Sequence, residues 1–568
     1  MTAATPRSIR TVVLATAAVP VLALALLLGL PDAGPIWFMI QMLQQDVLLM
    51  MASLLIGAFA LLPLARTWRT PVLDRRTMLL LALAVAALTY AGHYLVMEGY
   101  ALVRDEQMVL FDAAIYGQGK LAWPLPPEWR SEAAALNLTF MLPVEQPVAW
   151  VSAYLPGNAA LHALFGLLGD PALTGPVLSA VAMLALWSCA RKIWPEDREV
   201  ATVAVILLLV SGQFLFSGMS PWAMQAHLAC NLVWLRLYLS GRARTDVAAL
   251  AVGWLATGLH QPLFHPLFAG PFLLLLLRER RFGRFALYLF GYAAIGLFWL
   301  AWPRLTAELV TGPGSIAATS GVDYLSRLLL ALTENSNNLG MMAANLVRFV
   351  AWQHLLLLPL LLLALRTLRG NGLAQAMLLG PLVTVVVMTL ILPWQGYGFG
   401  YRYLHGQLGG MVLLAGFGWR WLVERAPGAR AVLAKATVAA LLITIPMQAW
   451  LVHRLYVPYA EADQLIAAAP VAYALIDGDA GYNADILLIN RPDLSNRPLR
   501  LSADKVRDPA ALARKICKPE TRIAIGSDAF FRRIGRAYLL PPMARADAAR
   551  DTLTAPYRQA GCAIVVLR

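Results

Sequence analysis

The sequence predicts a helical bundle that crosses a membrane many times and carries a small α/β domain at its C-terminal end. Hydrophobic residues make up 59% of the 568 residues, charged residues only 14%, and the mean hydropathy is +0.63. A soluble globular protein is about one quarter charged, so this composition excludes a soluble enzyme, a disordered chain and a disulfide-rich secreted module. The apolar residues fall in runs of about 20, the length that crosses a bilayer, whereas the residues after 450 lose this pattern.

These runs predict about thirteen membrane spans, and twelve or fourteen also fit because the pair around Gln261-Pro262 is short. In chain order they are centred on 11–30, 46–65, 77–97, 172–190, 200–216, 222–239, 246–260, 263–277, 285–302, 349–365, 373–392, 405–422 and 432–450. The first run could instead be a cleaved signal peptide, because Arg7 and Arg10 precede it. Its length favours a span, since the apolar core of a signal peptide is usually shorter.

Basic residues predict the orientation, because short loops rich in Lys and Arg stay on the cytoplasmic side. Alternate connections carry them, at Arg66/Arg69/Arg75/Arg76, Arg191/Lys192/Arg198, Arg242/Arg244, Arg278/Arg280/Arg281/Arg284, Arg366/Arg369 and Arg420/Arg425/Arg430/Lys435. The N-terminus is therefore predicted inside and the tail outside. The net charge is +14, and its basic residues sit in short clusters between apolar runs, as membrane orientation requires. No basic stripe with interleaved aromatics stands outside the spans, so the pattern argues against nucleic-acid binding.

Three predicted outward stretches are long enough to form structure outside the membrane: 98–157, 303–348 and the tail 451–568. The tail alternates β-rich runs with helical stretches such as 508–516, which predicts a small α/β domain. Its predicted strands are 473–476, 486–489, 522–525 and 563–567. The chain then divides into a two-helix membrane extension (1–76), a membrane module with the outer loop 98–157 (77–450), and the outer domain (451–568).

Two of the four cysteines, Cys517 and Cys562, fall in the outward tail beside predicted strands. An oxidising compartment would let them form a disulfide, and the alternative is two unpaired thiols. Cys189 and Cys230 lie within spans and are interpreted as packing residues.

Adjacent carboxylates, Asp105 and Glu106, directly follow an apolar run at the start of the first outer loop. Ionisable groups at such a position are costly and typical of a functional site. On a helix, Asp105, Asp112 and Tyr116 would share one face. The alternative is a solvated helix start, where the helix dipole favours acids. Further along, the dense prolines of 123–127 predict a rigid loop without regular structure.

A second candidate segment, 394–405, alternates aromatic residues with glycines and contains Arg402 at the outward mouth of the bundle. The planar guanidinium of Arg402 suits phosphate oxygens. An interfacial aromatic belt with an arginine reaching the headgroups is the alternative. His260 and His265 could bind a metal, contact phosphate or sugar, or form a satisfied buried polar pair. A metal would need a third close ligand, which the sequence does not supply.

Three motifs in these segments resemble those of GT-C membrane glycosyltransferases. The closest likeness is to the bacterial group related to protein O-mannosyltransferases, lipid A aminoarabinose transferases and rhizobial lipopolysaccharide-core transferases. The motifs are Asp105-Glu106…Ala114…Gly119-Lys120-Leu121, Tyr154-Leu155-Pro156-Gly157 and Phe399-Gly400-Tyr401-Arg402-Tyr403-Leu404. The resemblance covers about residues 77–425, so two extra spans precede it. His260-Gln261-Pro262 stands where such proteins frequently carry Arg-Pro.

The resemblance implies a bacterial inner-membrane enzyme that transfers a sugar from a polyprenyl-phosphate carrier to an extracytoplasmic glycolipid, polysaccharide or protein, with inversion. It implies Asp105 as general base, Glu106 as its helper or an acceptor ligand, and Arg402 as phosphate clamp. The remaining expected substrate contacts are Lys120, Tyr154, His405, Tyr403, His260 and Asp112. No cofactor is identified, and a divalent cation is left open.

Two other functions compete with this interpretation. A transporter or flippase of lipid-linked sugars would typically show internal repeats and charged residues near mid-membrane, and neither is evident. An O-antigen-type polymerase or ligase, or a non-catalytic scaffold, would share the lipid carrier but use a different outer loop. Cleavage of a polyprenyl-phosphate sugar separates the transferase from a transporter.

Overall fold

The structure is a computed structural model that describes residues 42–62, 68–142, 148–311, 338–393, 395–538 and 547–568. The predicted first span, Arg7, Arg10, Arg66, Trp394 and most of the outward stretch 303–348 lie outside these residues. The chain divides into two compact units. The bundle unit comprises Met1–Gly92, Ala172–Leu300 and Asp323–Trp450. The loop–tail unit comprises His93–Pro171, Ala301–Val322 and Leu451–Arg568.

The membrane part of the chain is almost entirely helical. Its helices are Val47–Leu61, Arg75–Leu95, Thr174–Ile193, Arg198–Leu209, Gly212–Met219, Ala223–Tyr238, Ala243–Thr257, Phe264–Arg278, Phe282–Thr311, Asn338–Ala351, Leu357–Ala364, Gly372–Ile391, Leu408–Arg425, Ala429–Ala439 and Ile445–Ala467. A π-helical turn, Met42–Asp46, leads into the first of them. Each predicted span that falls within the described residues coincides with at least one helix.

Six helical segments of the described chain are long and apolar enough to cross a membrane, or seven if one bent pair is a single span. They are Met42–Leu61, Arg75–Leu95, Pro171–Ile193, Phe282–Leu309, Gly372–Ile391 and Ala429–Ala467, and the pair Arg198–Leu209 and Gly212–Met219 is bent by 57°. The count of thirteen spans remains a prediction. Several predicted spans form short helices, such as Ala223–Tyr238 with 16 residues, about 24 Å long.

Close backbone contact holds parts of the bundle together. A Cβ atom at Gly418, in Leu408–Arg425, would lie 2.0 Å from the carbonyl oxygen of Leu360 in Leu357–Ala364. Small residues at such points let membrane helices approach, because association in lipid depends on packing. Elsewhere in this unit, Arg284 and Asp246 form an ion pair at 2.6 Å.

The outer loop forms the helices Arg104–Tyr116 and Ala133–Leu136 and a 3₁₀ turn, Pro127–Glu132, and the helix Gly157–Leu167 begins at its last residue. The prediction that its proline-rich segment has no regular structure is wrong. Trp123–Pro124 pairs antiparallel with Ala149–Trp150, and Pro127 begins the 3₁₀ turn. Proline is compatible with both places, since an edge strand and a first helical position do not need its missing N–H.

The tail contains a parallel four-stranded sheet formed by Tyr473–Ile476, Leu499–Ser502, Arg522–Gly526 and Ala563–Leu567. Across the sheet the strands lie in the order second, first, third and fourth, numbered along the chain. Its helices are Pro509–Ile516, Asp528–Gly535 and Asp547–Gln559. Cys517 and Cys562 form the predicted disulfide, whereas Cys189 and Cys230 of the bundle are buried free thiols.

The predicted strand 486–489 is wrong, because Ala484–Leu487 forms a 3₁₀ turn. The second strand is instead Leu499–Ser502, which the sequence reading missed. The apolar residues 486–488 are buried as they would be in a strand, so their composition alone did not distinguish the two structures. Tertiary packing overrides the β-propensity of such a short run.

We expect Gly418→Ala to lower the free energy of unfolding by about 1–3 kcal/mol, because the added methyl group must displace the Leu360 backbone. Thermal unfolding of the purified protein in detergent measures the effect. Gly270→Ala is the matched control, since a Cβ at Gly270 meets nothing within 4 Å. Equal melting temperatures for the two variants would contradict the close helix contact.

Candidate functional site

The predicted acids lie on the helix Arg104–Tyr116, called here the acid helix. It begins where it does because the Glu106 carboxylate accepts a hydrogen bond from the Val103 N–H at 3.0 Å, which satisfies a backbone donor at the helix start. Asp105 and Glu106 both occupy its first turn, where the helix dipole favours negative charge. The predicted helix is therefore present, and its acids stand at its positive end.

Asp105 is half-buried and is held by Tyr154. The Tyr154 hydroxyl donates to Asp105 Oδ1 at 2.6 Å. The Tyr154 ring stacks on Phe140 with 5.0 Å between ring centroids. Its backbone N–H donates to Ser152 Oγ at 2.9 Å. Two predicted site residues that lie far apart in the chain are thus brought into direct contact.

Glu106 is fully buried, unlike its neighbour Asp105. Besides the Val103 N–H, its carboxylate accepts a hydrogen bond from the Tyr456 hydroxyl at 3.1 Å. Burial raises the pKa of Glu106 to about 7, and these two hydrogen bonds oppose the rise. At neutral pH this carboxyl group can therefore carry or release a proton.

Asp112 is a second buried carboxyl group on the acid helix. Burial raises its pKa to about 7, and a hydrogen bond with Ser152 partly offsets the rise. Ser152 therefore contacts both Asp112 and the backbone of Tyr154. The expected common face of Asp105, Asp112 and Tyr116 exists, and it is partly covered rather than solvated.

The tail contacts the acid helix directly within the loop–tail unit. Arg104 pairs with Asp485, and Gln107 Nε2 donates to the Ile486 carbonyl at 2.8 Å. Trp150, from the end of the outer loop, donates to the Pro492 carbonyl at 3.1 Å. Segment 485–492 thus positions the helix that carries the acids. The sequence reading missed these partners and Tyr456, because no local pattern connects residues so distant in the chain.

Lys120, the second predicted cation of the outer loop, is exposed. Its ammonium group lies 3.9 Å from the centroid of the Trp123 ring, which is a cation–π contact.

A separate cleft in the bundle unit contains the predicted Arg402. Its lining is Met224, His227, Phe264, Thr384, Arg402, Tyr403, Gly406 and Gln407. Arg402 lies over the rings of Trp222 and Tyr403, with its guanidinium carbon 5.8 and 5.3 Å from the two centroids. We call this cleft the arginine pocket. It combines a planar cation with aromatic walls, which suits an anionic group attached to an apolar chain.

His227 lines the arginine pocket and was missed from the sequence. It is 3% exposed, and neither ring nitrogen has a hydrogen-bond partner among the described residues. A buried polar group without a partner costs free energy, so such a group needs an explanation such as a ligand. His227 lies inside the helix Ala223–Tyr238 with no motif around it, so the sequence offered no signal.

The other histidines of this region have protein partners. His265 is fully buried between Asn231 Oδ1 and the Tyr292 hydroxyl, each 2.7 Å from a ring nitrogen. It is therefore a buried polar residue whose hydrogen bonds are satisfied, which was one of the alternatives. His405 is also buried and bonds Gln225 at 3.1 Å. His260 stacks on Phe264, 6.5 Å between centroids. Across the described residues, no group of three or more His, Cys, Asp or Glu side chains could hold a metal ion.

The segment 395–402, called here the glycine-rich loop, brings Arg402 to the pocket. Gly396 and Gly400 have φ values of +67° and +68°, which favour glycine. At Gly400 a Cβ would also lie 2.4 Å from Gln213 Oε1. Phe399 and Tyr401 are buried in the bundle, so the alternative of an aromatic belt in the lipid headgroups is wrong for them.

No protein-family model and no curated protein matches this sequence. Solved structures do. The solved structures to which the chain is similar include those of two proteins. ArnT from Cupriavidus metallidurans, bound to undecaprenyl phosphate, is 14% identical, with 86% of this chain and 90% of that chain covered and a TM-score of 0.45. Apo ArnT gives 14% identity, 85% and 89% coverage and a TM-score of 0.43.

The second is the apo oligosaccharyltransferase of Archaeoglobus fulgidus, which is 13% identical. The match covers 82% of this chain and 64% of that chain, with a TM-score of 0.42.

We expect Asp112→Asn to stabilise the protein at alkaline pH and not at acidic pH. The folded state raises the Asp112 pKa to about 7, so it binds the proton more tightly than the unfolded chain does. The free energy of unfolding therefore falls as pH rises from about 4 to about 7, by at most about 4 kcal/mol. The Asp112→Asn variant does not show this fall, because its side chain does not ionise.

Melting temperatures of Asp112→Asn and the unmodified protein, measured at pH 4.5 and pH 8 in detergent, test this expectation. Asp551→Asn is the control, since the Asp551 side chain is 55% exposed and should show no such pH-dependent gain. A gain of equal size at both pH values would show that burial does not raise the Asp112 pKa.

Proposed function

We propose that this protein is an integral membrane glycosyltransferase that moves a sugar from a polyprenyl-phosphate carrier to an acceptor outside the cytoplasm. The acceptor class is a glycolipid, a polysaccharide or a protein. The observation that carries the proposal is the acid helix, where a half-buried Asp105 bound by Tyr154 adjoins the buried Glu106. Such paired carboxyl groups with different environments are typical of acid–base chemistry.

Asp105 is the proposed general base. An acceptor hydroxyl must lose its proton as it attacks the anomeric carbon, which requires a carboxylate within hydrogen-bond reach. The Tyr154 hydroxyl orients this carboxylate from one side, while half-burial keeps it accessible to an acceptor. Attack from the face opposite the leaving phosphate inverts the anomeric configuration.

Glu106 is the proposed helper of Asp105. Burial raises its pKa to about 7, so at neutral pH it repels the adjacent Asp105 charge less than a fully ionised carboxylate would. Its bonds to the Val103 N–H and the Tyr456 hydroxyl hold the helix start in place. Asp112 and Lys120 remain proposed substrate contacts of the same unit.

The arginine pocket is the proposed site of the carrier phosphate. The leaving group gains negative charge during transfer, so a cation placed beforehand lowers the barrier. Arg402 supplies the charge and a planar set of donors, and His227 supplies a buried ring nitrogen that can donate to a phosphate oxygen. Tyr403, His405 and His260 remain proposed contacts around it.

The proposed setting is a bacterial inner membrane with the N-terminus in the cytoplasm and the tail outside. The basic clusters of the alternate loops support this orientation. The disulfide between Cys517 and Cys562 is compatible with an oxidising compartment around the tail.

We expect Asp105→Asn to lower transfer at least about 100-fold, because amide nitrogen and oxygen cannot accept the acceptor proton. A strain lacking the protein is compared with its parent by mass spectrometry of envelope lipids and glycans. The missing sugar identifies the donor, and the molecule that lacks it identifies the acceptor. Complementation with Asp105→Asn should leave the product missing.

Complementation with Asp551→Asn, an exposed position, is the control and should restore the product. Purified protein given the identified polyprenyl-phosphate sugar and acceptor should release polyprenyl phosphate. A transporter would instead move the sugar lipid into vesicles without cleaving it. Near-normal turnover by a well-expressed Asp105→Asn protein would refute the assigned base.

We expect Arg402→Ala to weaken the affinity for undecaprenyl phosphate about 10- to 100-fold, the loss typical of a charge-assisted pair. His227→Leu should weaken it about 10-fold, because one neutral donor is lost. Binding is measured by fluorescence or thermophoresis in detergent. Arg420→Ala is the control, since the Arg420 side chain is 54% exposed. Unchanged binding by both pocket variants would place the phosphate elsewhere.

A further inference from the structure

A fully buried ion pair lies in the bundle unit, outside the groups assigned above. Asp46, in the segment Met42–Leu61, faces Arg348 in the helix Asn338–Ala351. Asp46 Oδ2 is 3.0 Å from Arg348 Nε, and both side chains are 0% exposed. Trp352 Nε1 donates a hydrogen bond to Asp46 Oδ1 at 2.8 Å.

Such a pair is not explained by stability. Removing two charges from water costs about as much as their attraction returns, and apolar residues of similar size would often serve better. In some proteins a buried ion pair is retained because it fixes one conformation rather than because it adds stability. The question is therefore what Arg348 does besides pairing with Asp46.

Arg348 binds the backbone of the glycine-rich loop. Its Nη2 donates to the Gly398 carbonyl at 2.9 Å, and its Nη1 donates to the Gly396 carbonyl at 3.3 Å. The planar guanidinium can thus bind an acid on one side and two carbonyl groups on the other. A single-point cation such as lysine lacks this geometry.

The glycine-rich loop in turn fixes Arg402. Gln395 Oε1 accepts the Arg402 backbone N–H at 2.8 Å, and Gln395 Nε2 donates to the Gly400 carbonyl at 2.8 Å. Gln213 holds the next carbonyl, that of Tyr401, at 2.9 Å. Phe399 packs between Trp352 and Trp222, with centroid distances of 5.5 and 5.4 Å. Few degrees of freedom remain between Arg348 and Arg402.

Charge gives a second reason for the pair. Arg348 and Arg402 interact electrostatically, and like charges in a low-dielectric interior repel each other. Asp46 lies 3.0 Å from Arg348, so its carboxylate offsets part of this repulsion.

We propose that Asp46 and Arg348 are positioning residues that set the glycine-rich loop, and through it Arg402, for binding the carrier phosphate. The segment Met42–Leu61, which precedes the part of the chain that carries the glycosyltransferase-like motifs, thereby contributes to the substrate site. The inference rests on the proposed function, since it assumes that the arginine pocket binds a lipid phosphate.

The test separates affinity from stability, using undecaprenyl phosphate as probe and the full-length protein in detergent. Arg348→Lys keeps the charge beside Asp46 but loses the two carbonyl contacts. We expect its affinity to fall about 10-fold, the loss of a charged hydrogen bond, with little change in melting temperature. Affinity equal to that of the unmodified protein would overturn the proposal.

Asp246→Asn is the matched control, because it breaks another ion pair of the same unit, that with Arg284, whose side chains are 4% and 14% exposed. The Arg284 Nη2 donor contacts the Tyr238 carbonyl rather than the glycine-rich loop. We expect this variant to lose melting temperature and keep its affinity. Equal loss of affinity in Asp246→Asn and Arg348→Lys would show a merely structural role and overturn the inference.

A double variant, Asp46→Leu with Arg348→Met, covers the case in which Arg348→Lys fails to fold. It removes both buried charges at similar volume, which is often tolerated. We expect a folded protein with at least about 10-fold weaker binding, because the loop contacts are lost. Normal affinity would overturn the proposal.

Arg402→Ala separates failure of the proposed phosphate site from failure of the positioning role of Asp46 and Arg348. If Arg402→Ala binds the probe normally, the proposed phosphate site is wrong and the inference falls with it. If Arg402→Ala loses affinity while Arg348→Lys and the double variant do not, only the positioning role is wrong.

Discussion

The hydrogen bonds of the buried Glu106 carboxylate are the contacts on which the acid helix depends. One bond, from the Val103 N–H, begins the helix, and the other, from the Tyr456 hydroxyl, ties it to the helix Ile445–Ala467. A carboxyl group is costly to bury, so its presence constrains what surrounds it. That constraint leaves the preceding residue, Asp105, half-buried with Tyr154 as its partner. A structural acid and an accessible acid thus stand side by side.

The bundle unit meets a similar constraint with positive charge. Arg348 is buried beside Asp46 and also donates hydrogen bonds to carbonyl groups of the glycine-rich loop. Arg402, four residues beyond the second of these carbonyls, stays in a cleft with aromatic walls. In both units, one ionised or ionisable group is fixed by burial, and another nearby remains accessible. Burial supplies rigidity, and the accessible group supplies chemistry.

The sequence predicted the residues that belong to local motifs. Asp105 and Tyr154 were predicted from outer-loop motifs and are in contact, and Arg402 with Tyr403 lines one cleft. It did not predict His227, Tyr456 or Arg348. Each of these lies inside a helix with ordinary neighbours, and its role comes from a partner far away in the chain. The mistaken strand at 486–489 has the same origin, because its apolar run is buried by neighbours rather than by a sheet.

By itself, the sequence determined the helical membrane class, the predicted orientation of the loops and the residue types available for acid and phosphate chemistry. These follow from composition, run length and the distribution of basic residues, all of which are local properties. Only the tertiary structure decided which carboxyl group is buried, which histidine lacks a partner and which arginine holds a loop. Solvation and hydrogen bonding depend on groups distant in sequence, so no local pattern can contain them.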